Sequence, residues 1–111
     1  MKKVCYILHG LGAGPEDNWF PWLKLELEKR GYLVIVPELP SAYFPTVSEW
    51  LTTLQATVQE NGDGVIIGHS LGGVLVAHYL LNGGHASKVI LVATPFSKLK
   101  IIPTIDEFMI D

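Results

Sequence analysis

The sequence predicts a three-layer α/β protein in which helices cover both faces of a parallel, doubly wound sheet. Short apolar runs alternate with segments of helical periodicity along all 111 residues, in the order β-α-β-α-β-α-β. The apolar runs are unbroken rather than alternating, which is typical of strands that are buried on both faces. We expect right-handed crossovers between about four strands, and we take 2-1-3-4 as the hypothesis for their spatial order.

The first two strands and the first helix occupy the N-terminal part of the chain. Residues 4–8 (VCYIL) form an apolar run that ends at the turn-forming stretch HGLGAGP. A helix is predicted over 19–30, because apolar residues recur at helical spacing and Gly31 follows as a stop. The run 32–36 (YLVIV) is the second strand, which Pro37 ends. We expect the aromatic residues of this helix to pack into the core: Trp19, Phe20 and Trp22.

The second half of the chain continues the alternation. A helix with one apolar face is predicted from a cap at Thr46 or Ser48 to about Glu60. A third strand is predicted over 64–68 and a helix that is apolar nearly all round over 71–81. The last strand is predicted over 88–94.

Composition restricts the classes of partner. The net charge is −3 and no basic stripe is present, so we expect no nucleic-acid partner. The longest apolar stretches fall short of the ~20 residues that span a bilayer, and the N-terminal apolar run is too short for an export signal. We therefore expect one domain over 1–111, no membrane partner and a cytoplasmic location, which the single cysteine, Cys5, also favours.

The stretch Gly68-His69-Ser70-Leu71-Gly72 fits the pattern G-x-S-x-G, between an apolar strand and an apolar helix. In that setting Ser70 is a candidate nucleophile on a sharp turn, and the glycines are needed because the chain passes close to itself. The backbone N–H of Leu71, at a helix N-terminus, is a candidate donor to an oxyanion. His69 is expected to point away from the cleft and to be structural.

A second glycine-rich loop, His9-Gly10-Leu11-Gly12, follows the first strand. If the first and third strands are neighbours, this loop meets the serine turn at the carboxyl edge of the sheet. We expect the second oxyanion donor here, with the N–H of Leu11 as first candidate and that of Gly12 as the alternative. His9 and Gly10 are expected to be structural, His9 bracing the loop through hydrogen bonds.

These motifs resemble those of the α/β-hydrolase superfamily, and within it the small serine hydrolases of the retinoblastoma-binding-protein type, which include YdeN-like bacterial proteins. The resemblance is carried by YILHGLGAGPEDNWFPWLKLELEKRGY, SEWL, GHSLGG and IIPTIDEF, and it extends over essentially the whole chain. It implies the fold, hydrolysis of small carboxylic esters or related acyl compounds, Ser70 as nucleophile, and no cofactor.

A serine nucleophile needs a histidine oriented by a carboxylate, in the order Ser, acid, His in this superfamily. After Ser70 the chain has His78, about 12 Å further along a helix, and His85, before the last strand. Neither is placed to act as the base. Three acidic residues follow the last strand, and none has a matching histidine after it: Asp106, Glu107 and Asp111. We therefore expect the triad to be incomplete, and interpret the chain as the N-terminal part of a larger hydrolase domain.

The last predicted strand, 88–94, would leave an open apolar edge, and the apolar tail IIPTIDEFMID has no evident place to be buried. Self-association through the strand or the tail is therefore a possible consequence.

Two other functions are considered. A non-catalytic binding module on the hydrolase scaffold would explain the missing base. A dinucleotide-binding unit would explain GLGAG, but Pro15 stands at the third glycine position of G-x-G-x-x-G. No metal site is expected, since the four histidines and one cysteine do not converge at ligand spacing.

Overall fold

The computed structural model describes residues 3–95 and 107–109. In this part of the chain, four strands and three helices alternate. Their bounds are β1 Lys3–Leu8, α1 Phe20–Lys29, β2 Tyr32–Ile35, α2 Val47–Asn61, β3 Val65–His69, α3 Leu71–Leu81 and β4 Lys88–Val92. All strand pairs are parallel, and the spatial order is β2-β1-β3-β4. The predicted fold class and strand order are confirmed.

The ends of the elements have identifiable local causes. Thr46 is the cap of α2, because its hydroxyl accepts a hydrogen bond from the N–H of Glu49. Gly62 follows α2 with a φ of 93°, which favours glycine. Strand β4 ends at Val92, earlier than predicted, because Ala93 has a φ of 51° and interrupts the extended chain.

The core has one apolar cluster on each face of the sheet. Side chains on β1 alternate between them, so Tyr6 and Leu8 face α2 and α3, whereas Cys5 and Ile7 face α1. Since β1 and β3 are the central strands, burial on both faces explains their unbroken apolar sequence. The result is the predicted three-layer arrangement.

The prediction for the aromatic residues of α1 is correct for Phe20, which is fully buried, and wrong for Trp22. The Trp22 side chain is 64% exposed, and Trp19 is half-buried. A helix on the outside of a sheet buries only one face. Trp22 lies about 200° around the helix axis from Phe20, and it therefore faces solvent.

Strand β4 also differs from the expectation of burial on both faces. Ile90 and Leu91 are exposed. Among the described strands, β4 is an edge strand that pairs only with β3. Its apolar side chains therefore lack the neighbours that cover those of β1.

The tail was expected to have no place for its apolar side chains, and for the described segment this is wrong. Phe108 is fully buried, with its ring 5.2 Å from that of Trp50 on α2. Glu107 accepts a hydrogen bond from the N–H of Val47, the first residue of α2. The segment therefore docks against α2. None of the helices in the described part of the chain is long and apolar enough to cross a membrane.

Candidate active site

Ser70 occupies the turn between β3 and α3 in a conformation that is unusual for a residue with a side chain. Its φ is 54° and its ψ is −122°. Strained backbone of this kind is concentrated at functional sites, where the surrounding structure must hold it. The N–H of Ser70 donates to the carbonyl oxygen of Val92 at 2.8 Å, so the end of β4 fixes the turn. The side chain remains half-exposed.

The glycines beside Ser70 are required by close approach of the backbone. A Cβ at Gly68 would lie 2.5 Å from the Cα of Gly73, and a Cβ at Gly72 would clash with the carbonyl oxygen of Leu8. These contacts place the first turn of α3 directly against β1 and β3. Any side chain at either position would displace the turn that presents Ser70.

Gly73 is a residue of the site that the sequence reasoning did not single out. A Cβ there would clash with the side chain of Thr94, just after β4. The signal was present as the doubled glycine in GHSLGG. The sequence does not show that Gly73 makes room for Thr94, because this contact depends on how β4 packs against α3.

The loop after β1 lies against the serine turn. A Cβ at Gly10 would be 3.1 Å from the Cβ of Ser70 and 3.5 Å from the backbone N of Leu71. Leu71 is the first residue of α3, so its N–H has no acceptor within the helix. The structure therefore brings together the two loops on which the sequence placed the oxyanion donors.

The two donor candidates in the β1 loop differ in their hydrogen bonds. The N–H of Gly12 donates to the carbonyl oxygen of Ala42 at 2.7 Å. Within residues 3–95 and 107–109, the N–H of Leu11 has no acceptor. This difference favours Leu11 over Gly12 as a group that can bind a ligand.

His9 is buried, and both of its ring nitrogens are engaged. Nδ1 lies 3.0 Å from the carbonyl oxygen of Gly10, and Nε2 accepts a hydrogen bond from the N–H of Leu39 at 2.9 Å. A ring that donates from Nδ1 and accepts at Nε2 is the neutral tautomer. His9 thus ties the β1 loop to the chain that follows β2.

Burial lowers the pKa of His9 below its ordinary value, because an imidazolium is poorly solvated in the core. The Gly10 carbonyl and the carboxylates of Asp17 and Glu38 act in the opposite direction. The net shift favours the neutral ring that the hydrogen bonds require.

His69 packs between aromatic rings of the α1 layer. Its ring centroid is 5.5 Å from that of Trp19 and 5.7 Å from that of Phe20, both in edge-on geometry. Nδ1 is buried and has no hydrogen-bond partner in the described part of the chain. No hydrogen bond joins His69 to Ser70 within these residues.

The other two histidines make contacts elsewhere. Nε2 of His78 is 2.6 Å from the carbonyl oxygen of Phe108. Nδ1 of His85 is 3.1 Å from a carboxylate oxygen of Asp63, at the opposite edge of the sheet from Ser70. Among the described residues, no histidine nitrogen is therefore hydrogen-bonded to the hydroxyl of Ser70. The carboxylate of Glu107 accepts its hydrogen bond at the start of α2. Asp106 and Asp111 lie outside the described residues.

An open cavity of about 520 Å³ adjoins Ser70. Its wall consists of the two glycine-rich loops and the start of the α1 connection, and comprises Gly10, Leu11, Gly12, Ala13, Asp17, Asn18, His69 and Ser70. A cavity of similar volume, about 530 Å³, lies at the opposite edge beside Asp63 and His85. Of these two cavities, only the first has the strained serine in its wall, together with Leu11, whose N–H has no acceptor among the described residues. We therefore take it as the candidate active site. The described residues contain no cluster of three or more potential metal ligands.

The chain is similar in sequence and fold to known proteins. A family model described as Serine hydrolase matches residues 5–110. The chain belongs to the serine hydrolase family. It is 33% identical over 118 residues to the protein named "Putative hydrolase YdeN" of Bacillus subtilis (strain 168), an alignment that covers 97% of this chain and 59% of that protein.

Solved structures agree with the family assignment. The ydeN gene product of B. subtilis superposes with a TM-score of 0.84 at 30% identity, over 96% of this chain and 60% of that one. A monoacylglycerol lipase of Paleococcus ferrophilus gives a TM-score of 0.74 at 22% identity, over 87% of this chain and 40% of the lipase. The chain therefore has the α/β-hydrolase fold, and it spans about three-fifths of the length of its YdeN relative.

Proposed function

We propose that this serine hydrolase cleaves small carboxylic esters or related acyl compounds, with Ser70 as the nucleophile. The observation that carries the proposal is the positive φ of Ser70 at the β3–α3 turn. This conformation presents the hydroxyl to the cavity of about 520 Å³, and it is the geometry in which a G-x-S-x-G serine acts. The fold shared with the monoacylglycerol lipase is consistent with this chemistry.

In the proposed reaction, the Ser70 oxygen attacks the acyl carbon and negative charge develops on the carbonyl oxygen. The N–H groups of Leu71 and Leu11 are the proposed donors to that oxygen. Gly10 lies against both Ser70 and Leu71, which keeps the two donors next to the nucleophile. Such preorganised donors contribute about 3–4 kcal/mol each to transition-state stabilisation in serine hydrolases.

We propose that this chain does not supply the triad histidine and its carboxylate, since all four of its histidines lie in the described part. The support is that His9, His78 and His85 have other hydrogen-bond partners, and that none bonds to Ser70. Without a base, the oxyanion hole and substrate binding retain only part of the rate enhancement. The 111-residue chain alone is therefore expected to turn over esters slowly or undetectably.

A fluorophosphonate probe that reacts with activated serines tests the assignment. The folded chain should be labelled on Ser70, slowly, and labelling should be lost in Ser70→Ala. Ser48→Ala is the matched control, because Ser48 is exposed on α2 and makes no contact with the cavity. Peptide mapping by mass spectrometry identifies the labelled residue.

Labelling that persists in Ser70→Ala would contradict the role of Ser70. A folded chain that does not react under any condition would instead favour a non-catalytic binding module on the hydrolase scaffold.

The buried, lone Cys5 is compatible with a reducing compartment, and we propose a cytoplasmic location.

A further inference from the structure

The described charges are distributed unevenly between the two edges of the sheet. The carboxyl edge, where Ser70 lies, has the acidic residues of the connections and helix starts: Glu16, Asp17, Glu38, Glu49 and Glu107. Among residues 3–95 and 107–109, no lysine or arginine lies at this edge. The described cations other than Lys24, which is in the middle of α1, lie at the opposite edge: Lys3, Lys29, Arg30 and Lys88. Acidic residues lie there too, so that edge is mixed in charge rather than positive: Glu26, Glu28, Glu60 and Asp63.

Some of these acidic groups have a structural explanation. Glu49 is in the first turn of α2 and Glu107 binds the N–H of Val47, and both positions stabilise a helix N-terminus. Asp17 differs from them, because its carboxylate accepts a hydrogen bond from the N–H of Gly14 in the loop before α1 rather than from a helix N–H. Stabilisation of a helix therefore does not account for Asp17.

Asp17 forms part of the wall of the cavity that contains Ser70. Its Oδ2 is held by the N–H of Gly14 at 2.8 Å, which orients the carboxylate. Its Oδ1 has no hydrogen-bond or ion-pair partner in the described part of the chain. The cavity therefore has one oriented carboxylate and, among its lining residues, no lysine or arginine.

Two further observations concern the same region. The carboxylates of Asp17 and Glu38 both raise the pKa of His9 against the effect of its burial, so their negative potential extends to the β1 loop. The ring of Tyr43 is exposed, and a Cβ at Gly12 would be 3.2 Å from its Cε1. Tyr43 therefore packs against Gly12, one of the residues of the cavity wall.

We propose that the site accepts acyl compounds with a positively charged ammonium group, which binds beside Asp17 while the acyl carbon lies at Ser70. The inference rests on the proposed function, since it specifies the substrate class of that same site. The cation replaces water at the oxygen of Asp17 that has no described partner, and the carboxylates in the described part of this edge increase the rate of encounter at low ionic strength.

The experiment measures binding rather than turnover, so that it does not depend on the missing base. Ser70→Ala prevents hydrolysis and is used as the background in the full 111-residue chain. The two ligands are butyrylcholine and 3,3-dimethylbutyl butyrate, which has the same shape without the charge. Titration at low ionic strength, followed by ¹H–¹⁵N NMR, gives both dissociation constants. We expect roughly two- to fivefold tighter binding of the cation, as for an exposed ion pair.

Adding Asp17→Asn should reduce the ratio of the two dissociation constants to about one. The amide oxygen of asparagine can still accept the hydrogen bond of Gly14, which preserves the loop. Glu16→Gln removes the same charge one residue away, outside the cavity wall, and should retain the preference of the parent. The NMR spectra also show whether each variant is folded.

Equal binding of the two esters, or a preference that survives in Asp17→Asn, would overturn the inference. Failure of both esters to bind would overturn it as well. Labelling of Ser70 by the phosphonate without a preference for the cation would leave the proposed function standing and remove only this inference. A preference for the cation without labelling would support the charge recognition and contradict the nucleophile.

Discussion

The backbone N–H of Ser70 and the carbonyl oxygen of Val92 form a hydrogen bond of 2.8 Å. Val92 is the last residue of β4, and Ser70 is the residue with the strained backbone that follows β3. The bond therefore joins the serine turn to the neighbouring strand. Without such a restraint, the turn would relax toward an ordinary φ and withdraw the hydroxyl from the cavity.

Gly68→Ala is expected to destabilise the protein by about 1–3 kcal/mol or more, because the added Cβ would lie 2.5 Å from the Cα of Gly73 and backbone must move. Gly14→Ala is the matched control, since a Cβ there would meet only the Asp17 carboxylate at an ordinary 3.9 Å. Urea unfolding monitored by tryptophan fluorescence measures both. Equal stabilities of the two variants would contradict the close packing of the turn.

Phe108→Ala is expected to lower the free energy of unfolding by about 3–5 kcal/mol, because it removes a fully buried ring that packs on Trp50. Phe44→Ala makes the same substitution at a side chain that is 76% exposed, and it should change stability by about 0.5 kcal/mol or less. Thermal and urea unfolding compare the two. A small effect of Phe108→Ala would show that the segment is not docked in solution.

The pH dependence of stability should contain a contribution from His9. Its folded-state pKa is lowered below the ordinary 6.5, chiefly by burial, whereas unfolding returns the ring to water. Below about pH 6.5 the unfolded chain therefore binds more protons than the folded one, and stability decreases as the pH falls toward the folded-state pKa. Above the unfolded-state pKa of His9 the ring is neutral in both states, and the stability no longer changes with pH because of this residue.

His9→Gln should flatten this decrease between about pH 7 and pH 5, although it also lowers stability overall by disturbing the hydrogen bonds to Gly10 and Leu39. His85→Gln is the control for loss of one histidine, because His85 is exposed and distant from the site. Urea midpoints across this pH range provide the measurement. Parallel curves for the wild type and His9→Gln would refute the assignment.

Cys5 should be unreactive in the folded protein. Burial raises the pKa of its thiol to about 11, and only the thiolate is an effective nucleophile. Iodoacetamide at about pH 8 should therefore modify Cys5 only after urea is added. Ser48→Cys supplies an exposed thiol on α2 as a positive control. Rapid modification of native Cys5 would indicate that β1 opens readily.

Much of the fold follows from local features of the chain. The unbroken apolar runs predict strands that are buried on both faces, and the glycines and prolines between them mark the turns. Parallel pairing then follows from the length of the connections, whereas the order β2-β1-β3-β4 was a hypothesis consistent with the hydrolase resemblance, which the structure confirms. The strand-turn-helix context of GHSLGG is likewise local, and it indicates Ser70 as the candidate nucleophile.

Other features depend on which faces of the helices and the sheet pack together. The periodicity of the sequence contains no information on this packing. The sequence predicted three buried aromatic residues near the start of α1, but packing on one side of the sheet buries Phe20 and leaves Trp22 in solvent. Only the tertiary structure shows that Phe108 packs against Trp50.

The sequence by itself determined the elements, their order and the serine turn, because these depend on neighbouring residues. The distinction between Leu11 and Gly12 was decided by the tertiary structure, since it depends on a hydrogen bond from Gly12 to Ala42. The same holds for Asp17, an ordinary loop carboxylate in the sequence that the fold places in the cavity of Ser70. Contacts between residues that are distant along the chain form only when the helices and strands pack together.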